Sequence, residues 1–363
     1  MKAIVDLFEE YAEQSLGVPE MEEKQFSIGG FPVRLRFARA SWGAILTKAL
    51  DHLRTEAPTA PTRGPAAPGR RQLTISILDG LQPQRNPLLR FYLKTLVDQW
   101  PDYTGPRGEL LHLHGGSVVA FYHPGPDILS VVDLEADLGF FWKRDLSPLP
   151  YYEAGSPMRG LLHAWLRKQG LQFVHGGAVG TESGGVLLAG KAGSGKSTSV
   201  LACLDSGLKY ASDDYCMVGA PDSMHWNVYS LYNTAKLVGE SDLAKFNGLA
   251  SQVWNPQRQP DEKVTIFLND SLPHKLIPQF PLRAILVPVI TGQPDTRIEP
   301  CGAGAALMAM GPSSLAQLPV SGSADLNSIA QVVRGSPCFR LKLGTDLWQI
   351  PGAICQLLTQ LSQ

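Results

Sequence analysis

Cysteine is scarce. The 363-residue chain has five, Cys203, Cys216, Cys301, Cys338 and Cys355, far apart and odd in number. No CxxC pair occurs, which argues against a cysteine zinc site and a disulfide framework and points to a reducing cytoplasm. Excess charge is missing too: 32 Lys and Arg stand against 33 Asp and Glu, a formal net charge of −1. Neither a nucleic-acid surface nor an anionic-membrane surface is indicated. No apolar run reaches the length of a membrane span, about 18 residues. Residues 1–10 are acidic where a secretory signal is basic and then apolar, so no export signal is expected. No internal repeat is visible. What remains is an ordinary globular composition, 44% hydrophobic and 18% charged, long enough for two domains and a large core.

The richest stretch is Gly190-Lys191-Ala192-Gly193-Ser194-Gly195-Lys196-Ser197. It fits the phosphate-binding loop: glycine, any four residues, glycine, lysine, serine or threonine. The apolar run Val186-Leu187-Leu188-Ala189 ahead of it reads as a buried strand. Behind it, Ser197-Thr198-Ser199-Val200-Leu201 opens a helix that Gly207 is placed to stop. Glycines let the backbone curl so that successive N–H groups face phosphate oxygens, and the helix start adds its positive end. Gly190, Ala192, Gly193, Ser194, Gly195 and Thr198 are the expected nucleotide-contacting positions. Lys196 would reach the β- and γ-phosphates of ATP, and the Ser197 hydroxyl would bind Mg²⁺.

The rest of the chain supplies the setting. Residues 1–15 read as a helix, residues 26–37 as a hairpin around Gly29-Gly30-Phe31-Pro32, and residues 41–53 as a helix. Residues 57–69 hold Pro58, Pro61, Pro65 and Pro68 and read as loop or linker. Strand signals follow at 73–78, 117–122 and 128–132, so residues 1–150 read as a mainly β domain. His112, His114 and His123 lie close in that domain but lack carboxylates at ligand spacing, so structural histidines are expected rather than a metal site. Residues 157–170 read as a helix, and residues 151–363 as the second domain.

One turn there decides the architecture. A strand over residues 171–180 is followed by Thr181-Glu182-Ser183-Gly184 and then the apolar run into the loop. About four turn residues close an antiparallel hairpin, whereas a parallel crossover needs a dozen or more. The strand that feeds the loop is therefore expected to pair antiparallel with its predecessor, in a mixed or antiparallel sheet of an α/β (α+β) domain. Beyond the helix, Asp213 and Asp214 interrupt an apolar strand pattern, where they could face the metal and the γ-phosphate. His175, on the strand paired with that of the loop, is a third candidate. Residues 231–246 read as a helix that carries Lys236. The polar loop 251–263 carries Arg258 and Lys263, further phosphate or substrate candidates. A buried strand at 282–289, a short helix at 303–310, a strand at 338–343 and a helix at 348–361 close the chain.

Three segments together resemble the catalytic domain of bacterial HPr kinase/phosphorylase. They are Val174-His175-Gly176-Gly177-Ala178-Val179-Gly180, Gly185-Val186-Leu187-Leu188-Ala189 with the loop, and Gly207-Leu208-Lys209-Tyr210-Ala211-Ser212-Asp213-Asp214. The resemblance implies a phosphoenolpyruvate-carboxykinase-like phosphate-loop fold and ATP- and Mg²⁺-dependent phosphorylation of a serine hydroxyl. By position, Asp213 matches the family's acceptor base and Asp214 its neighbour, which with Ser197 would hold the metal. His175 would orient phosphate or acceptor. The family's Glu-Ile-Arg-Gly signature is absent, its place taken by Ser230-Leu231-Tyr232-Asn233-Thr234-Ala235-Lys236-Leu237. The resemblance therefore carries across neither a second metal contact nor the reverse reaction. The whole chain is more similar to divergent members of the family, some of which modify the terminal serine of lasso peptides. The expected partner is a peptide or protein serine. A small hydroxyl compound as acceptor and a nucleotide-binding regulatory module without transfer are the alternatives. Whether the chain forms a homo-oligomer is left open.

Overall fold

The computed structural model describes residues 2–16, 22–56, 71–81, 86–113, 115–145, 147–220 and 225–362. The proline-rich stretch 57–69, His114 and residues 221–224 lie outside them. The fold is mixed α/β, in two units: Met1–Lys48 with Leu53–Gln169 and Leu318–Val320, and Ala49–His52 with Gly170–Gln317 and Ser321–Gln363.

The first unit begins with α1 (Lys2–Leu16) and the hairpin β1 (Glu22–Ile28) and β2 (Phe31–Phe37), followed by α2 (Ala40–Leu46) and β3 (Arg54–Thr55). Next come β4 (Leu73–Asp79), α3 (Pro87–Tyr103), β5 (Val118–His123), β6 (Ile128–Asp133) and β7 (Leu138–Lys143). The short α4 (Tyr151–Ala154) and α5 (Arg159–Lys168) complete it. Its sheet has seven strands in the order β3-β1-β2-β4-β7-β6-β5, mixed because β2, β4 and β7 run parallel. Helices α1 and α3 bury Val5, Phe8, Leu89, Leu93 and Leu96 against Leu78, Phe140 and Trp142 of the sheet. Sequence pattern misses α3, because its apolar residues spread round the helix: Leu88 and Phe91 are exposed while Leu89 and Leu93 are buried. The helix expected at 41–53 stops at Leu46, and a single 3-10 turn at Asp51–Leu53 is all that follows of it.

The second unit opens with β8 (Gln172–Thr181), β9 (Gly184–Ala189) and α6 (Lys196–Ala202). Then come β10 (Lys209–Ser212), β11 (Tyr215–Gly219), β12 (Asn227–Ser230), β13 (Thr234–Leu237), α7 (Glu240–Leu243), β14 (Val264–Phe267) and β15 (Gln279–Ile290). It ends with β16 (Arg297–Pro300), α8 (Ala303–Ala316), α9 (Ser323–Arg334), β17 (Cys338–Leu343) and α10 (Gln349–Leu361). The antiparallel hairpin is present: β8 pairs with β9 from Gly176 opposite Ala189 to Thr181 opposite Gly184. On its other edge β9 pairs parallel with β15. Because β8 also pairs with β11, β11 with β12, and β12 with β15, the path β8-β11-β12-β15-β9 returns to β8. Alternate residues of β9 enter two cores: Val186 and Leu188 pack with α6 and α10, Leu187 and Ala189 with α8 and α9. A strand buried on both faces explains the continuous apolar run ahead of the loop.

One expected element is corrected. Residues 231–246 do not form a helix: Thr234–Leu237 is a strand paired with Val264–Phe267, and only Glu240–Leu243 is helical. Thr234 and the neighbouring apolar residues suit a strand once a partner is in place, and that partner lies beyond a long loop, out of reach of local pattern.

Candidate active site

β9 delivers the chain to Gly190, and residues 190–195 turn it into α6. Gly195 has φ +96°, a conformation that favours glycine, and a Cβ there would lie 2.4 Å from Leu343 Cδ1. Gly177 on β8 matters for a different reason. A Cβ there would meet Val200 Cγ2 at 2.6 Å, so glycine lets α6 lie close against the strand. Lys196 is 6% exposed, and its Nζ donates to the carbonyl oxygens of Gly190 at 2.6 Å and Lys191 at 3.1 Å. Burial lowers its ammonium below the usual range, the charges of Asp213 and Asp214 oppose this, and Lys263 adds to it.

The two acids arrive from β10 and β11, which pair in succession with β8: Ser212 opposite Ala178, Tyr215 opposite His175. Between those pairs the acids lie across from Gly176 and Gly177, with Gly176 N–H donating to the Asp214 carbonyl at 3.0 Å. A Cβ at Gly176 would meet the Leu188 carbonyl oxygen at 2.8 Å, so glycine lets the strands pack this closely.

Asp213 is 2% exposed. Its Oδ2 accepts from the Lys236 backbone N–H at 2.8 Å, while its enclosed Oδ1 makes no hydrogen bond. Burial raises its carboxyl above the ordinary range. The Ser197 hydroxyl and the Lys236 amide oppose that rise, Asp214 adds to it, and Lys263 opposes it. Asp214 is the opposite case. Its Oδ1 lies 3.2 Å from His175 Nε2, and its Oδ2 accepts from Lys236 Nζ at 2.8 Å. Burial alone would raise its carboxyl, but the Lys236 ammonium and His175 outweigh that and hold it well below the carboxylate range. Two adjacent carboxylates thus have environments that push them apart.

The fold therefore gathers His175, Lys196, Ser197, Asp213, Asp214 and Lys236 in one place, with Lys263 near enough for its charge to act on both Lys196 and Asp213. Arg258 is not part of the group. Its guanidinium pairs with Glu240 and donates to the Asn255 carbonyl at 3.4 Å. Sequence pattern misses Tyr215, whose ring lies 5.5 Å from that of His175, and Gln317, which touches both residues. Nothing local announces Gln317, since it comes from the end of α8. Among the described residues no group of three or more His, Cys, Asp or Glu is arranged to hold a metal. His112 packs instead beside Tyr103, ring centroids 5.3 Å apart. No described helix is long and apolar enough to cross a membrane.

No family model and no curated protein matches the chain. Among solved structures it is similar to the Hpr(Ser) kinase/phosphatase from Coxiella burnetii, at 13% identity over 52% of this chain and 95% of that one, with a TM-score of 0.29. So loose a likeness carries neither fold nor activity across.

Proposed function

We propose that the chain is an ATP-dependent, Mg²⁺-requiring kinase that transfers the γ-phosphate to a hydroxyl, that of a serine in a peptide or protein. One observation carries the reading: the loop lysine and serine meet two adjacent carboxylates, buried Asp213 and half-buried Asp214, whose acidities are shifted in opposite directions. The nucleotide would lie on residues 190–198, with the loop amides and Lys196 on its phosphates, in exchange for the carbonyls the lysine now holds.

The oxygens around Ser197 are those a hard divalent cation takes: a hydroxyl and two carboxylates, one with an enclosed oxygen lacking any partner. Ser197 and Asp214 would hold Mg²⁺, and it would supply neutralisation of phosphate charge. Asp214, kept ionised by Lys236 and His175, suits that electrostatic part. Asp213, with a raised carboxyl and a free Oδ1, suits the base. The acceptor oxygen bonds to the γ-phosphorus, the bond from that phosphorus to the β-phosphate oxygen breaks, and Asp213 takes the acceptor's proton. Lys236 and Lys263 stand near enough to offset charge on the transferred group.

The test is label transfer from γ-labelled ATP with Mg²⁺ to a library of serine peptides, with free serine alongside. Label on peptide serine, lost in Asp213→Asn while nucleotide affinity is kept, is the expected result. The acid limb of its pH profile should fall above the usual carboxylate range, since a raised carboxyl loses its basic form at higher pH. Nucleotide bound with no label on any acceptor would sink the kinase reading.

A further inference from the structure

Helix α8 holds His175 at two points. The Ser314 hydroxyl, two residues before the helix end, accepts the His175 backbone N–H at 3.0 Å, and Gln317 Nε2 lies 3.4 Å from His175 Nδ1. The other end of the Gln317 amide is also occupied, since its Oε1 accepts from the Tyr215 hydroxyl. A carboxamide has one accepting end and one donating end. With the oxygen committed to the phenol, the NH₂ faces the imidazole, and Nδ1 must accept. A neutral ring then carries its proton on Nε2, the nitrogen 3.2 Å from Asp214 Oδ1. The other tautomer would set a bare nitrogen lone pair against a carboxylate.

We infer that Gln317 is a positioning residue: with Tyr215 it orients its amide so that His175 is kept in the tautomer that donates to Asp214. Asp214 is thereby gripped at both oxygens, by His175 on one and Lys236 on the other. The chain of contacts runs Tyr215, Gln317, His175, Asp214, Lys236, across a strand pair, a helix end and a third strand. The consequence for turnover rests on the phosphotransfer reading; the consequence for the ring does not.

The experiment is long-range ¹H–¹⁵N correlation on the full chain labelled in histidine, with the His175 signals assigned by their loss in His175→Gln. Wild type is expected to show an unprotonated Nδ1 and a protonated Nε2. Gln317 is exposed, so Gln317→Met should fold while removing the amide. It should mix the two tautomers and lower kcat about tenfold with the KM for nucleotide unchanged. Tyr215→Phe should give a smaller shift in the same direction. A protonated Nδ1 in wild type, or a His175 signal unchanged in Gln317→Met, overturns the inference. If the ring responds as stated and no variant or parent transfers label, the kinase reading fails and the positioning stands. Robust transfer with an unresponsive ring would do the reverse, sinking the positioning and keeping the kinase.

Discussion

The two units bury charge differently. In the first, three buried charges each have a close partner: Asp79 has Arg39 at 2.5 Å, Glu109 has Arg107 at 2.8 Å, and Lys143 has Asp145 at 2.7 Å and Ser147 at 2.6 Å. In the second, two lysines, two acids and a histidine converge beside one loop, and a carboxylate oxygen is left over. Pairs that cancel secure a fold. A cluster that leaves a buried carboxylate oxygen without a hydrogen bond carries a desolvation cost, a pattern that reaction sites share.

Two buried lysines break the comparison most directly. Lys196→Ala should reduce label transfer by about 10³-fold, the scale of losing a principal phosphate contact, with thermal unfolding nearly unchanged. Lys143, 1% exposed, should behave the other way. Its replacement by alanine should cost about 2 kcal/mol in denaturant unfolding, from hydrogen bonds to a charged donor, and leave transfer per folded molecule intact. Loss of transfer in Lys143→Ala at full stability would end this division of labour between the units.

Acid is expected to act on the two units alike, with a smaller effect. Burial lowers His52, in the second unit, to about 3, and His123, in the first, to about 4, the latter with help from Arg159. Both rings are neutral in the fold. As pH falls below about 6.5, the ordinary histidine value, the unfolded chain takes protons that the fold refuses, so stability present at neutral pH is lost on acidification. At a pH of about 5.5 each site should account for about 1 kcal/mol. His52→Gln and His123→Gln should each remove one share of that slope in unfolding measured from about pH 7.5 to about pH 5.5. A slope identical to the parent's in both variants would mean that neither ring stays neutral.

The loop, its hairpin and the acid pair are legible along the chain because each is settled within a few residues: a short connection, a glycine pattern, two aspartates interrupting an apolar strand. Lys236 stands out as a candidate but on the wrong element, since its strand exists only through pairing with Val264–Phe267. Arg258 looks equally suitable in sequence, and the fold ties it to Glu240 instead. Gln317 leaves no trace, because its meaning depends on a helix end meeting a strand 142 positions away. Local chemistry can be read along the chain; the partner that orients it comes from elsewhere.

The return of β15 to β9 has a consequence for how the protein is made. As the chain leaves the ribosome, β9 and the loop emerge with only β8 beside them, and the far edge of β9 stays bare until Gln279–Ile290 has been synthesised. A nascent chain that has already displayed its glycine-rich loop therefore still carries an open, wholly apolar strand edge, the kind that recruits other chains. Translation arrested between α6 and β15 should yield fragments that aggregate or engage chaperones, and release from that state should coincide with emergence of β15 rather than of the loop itself.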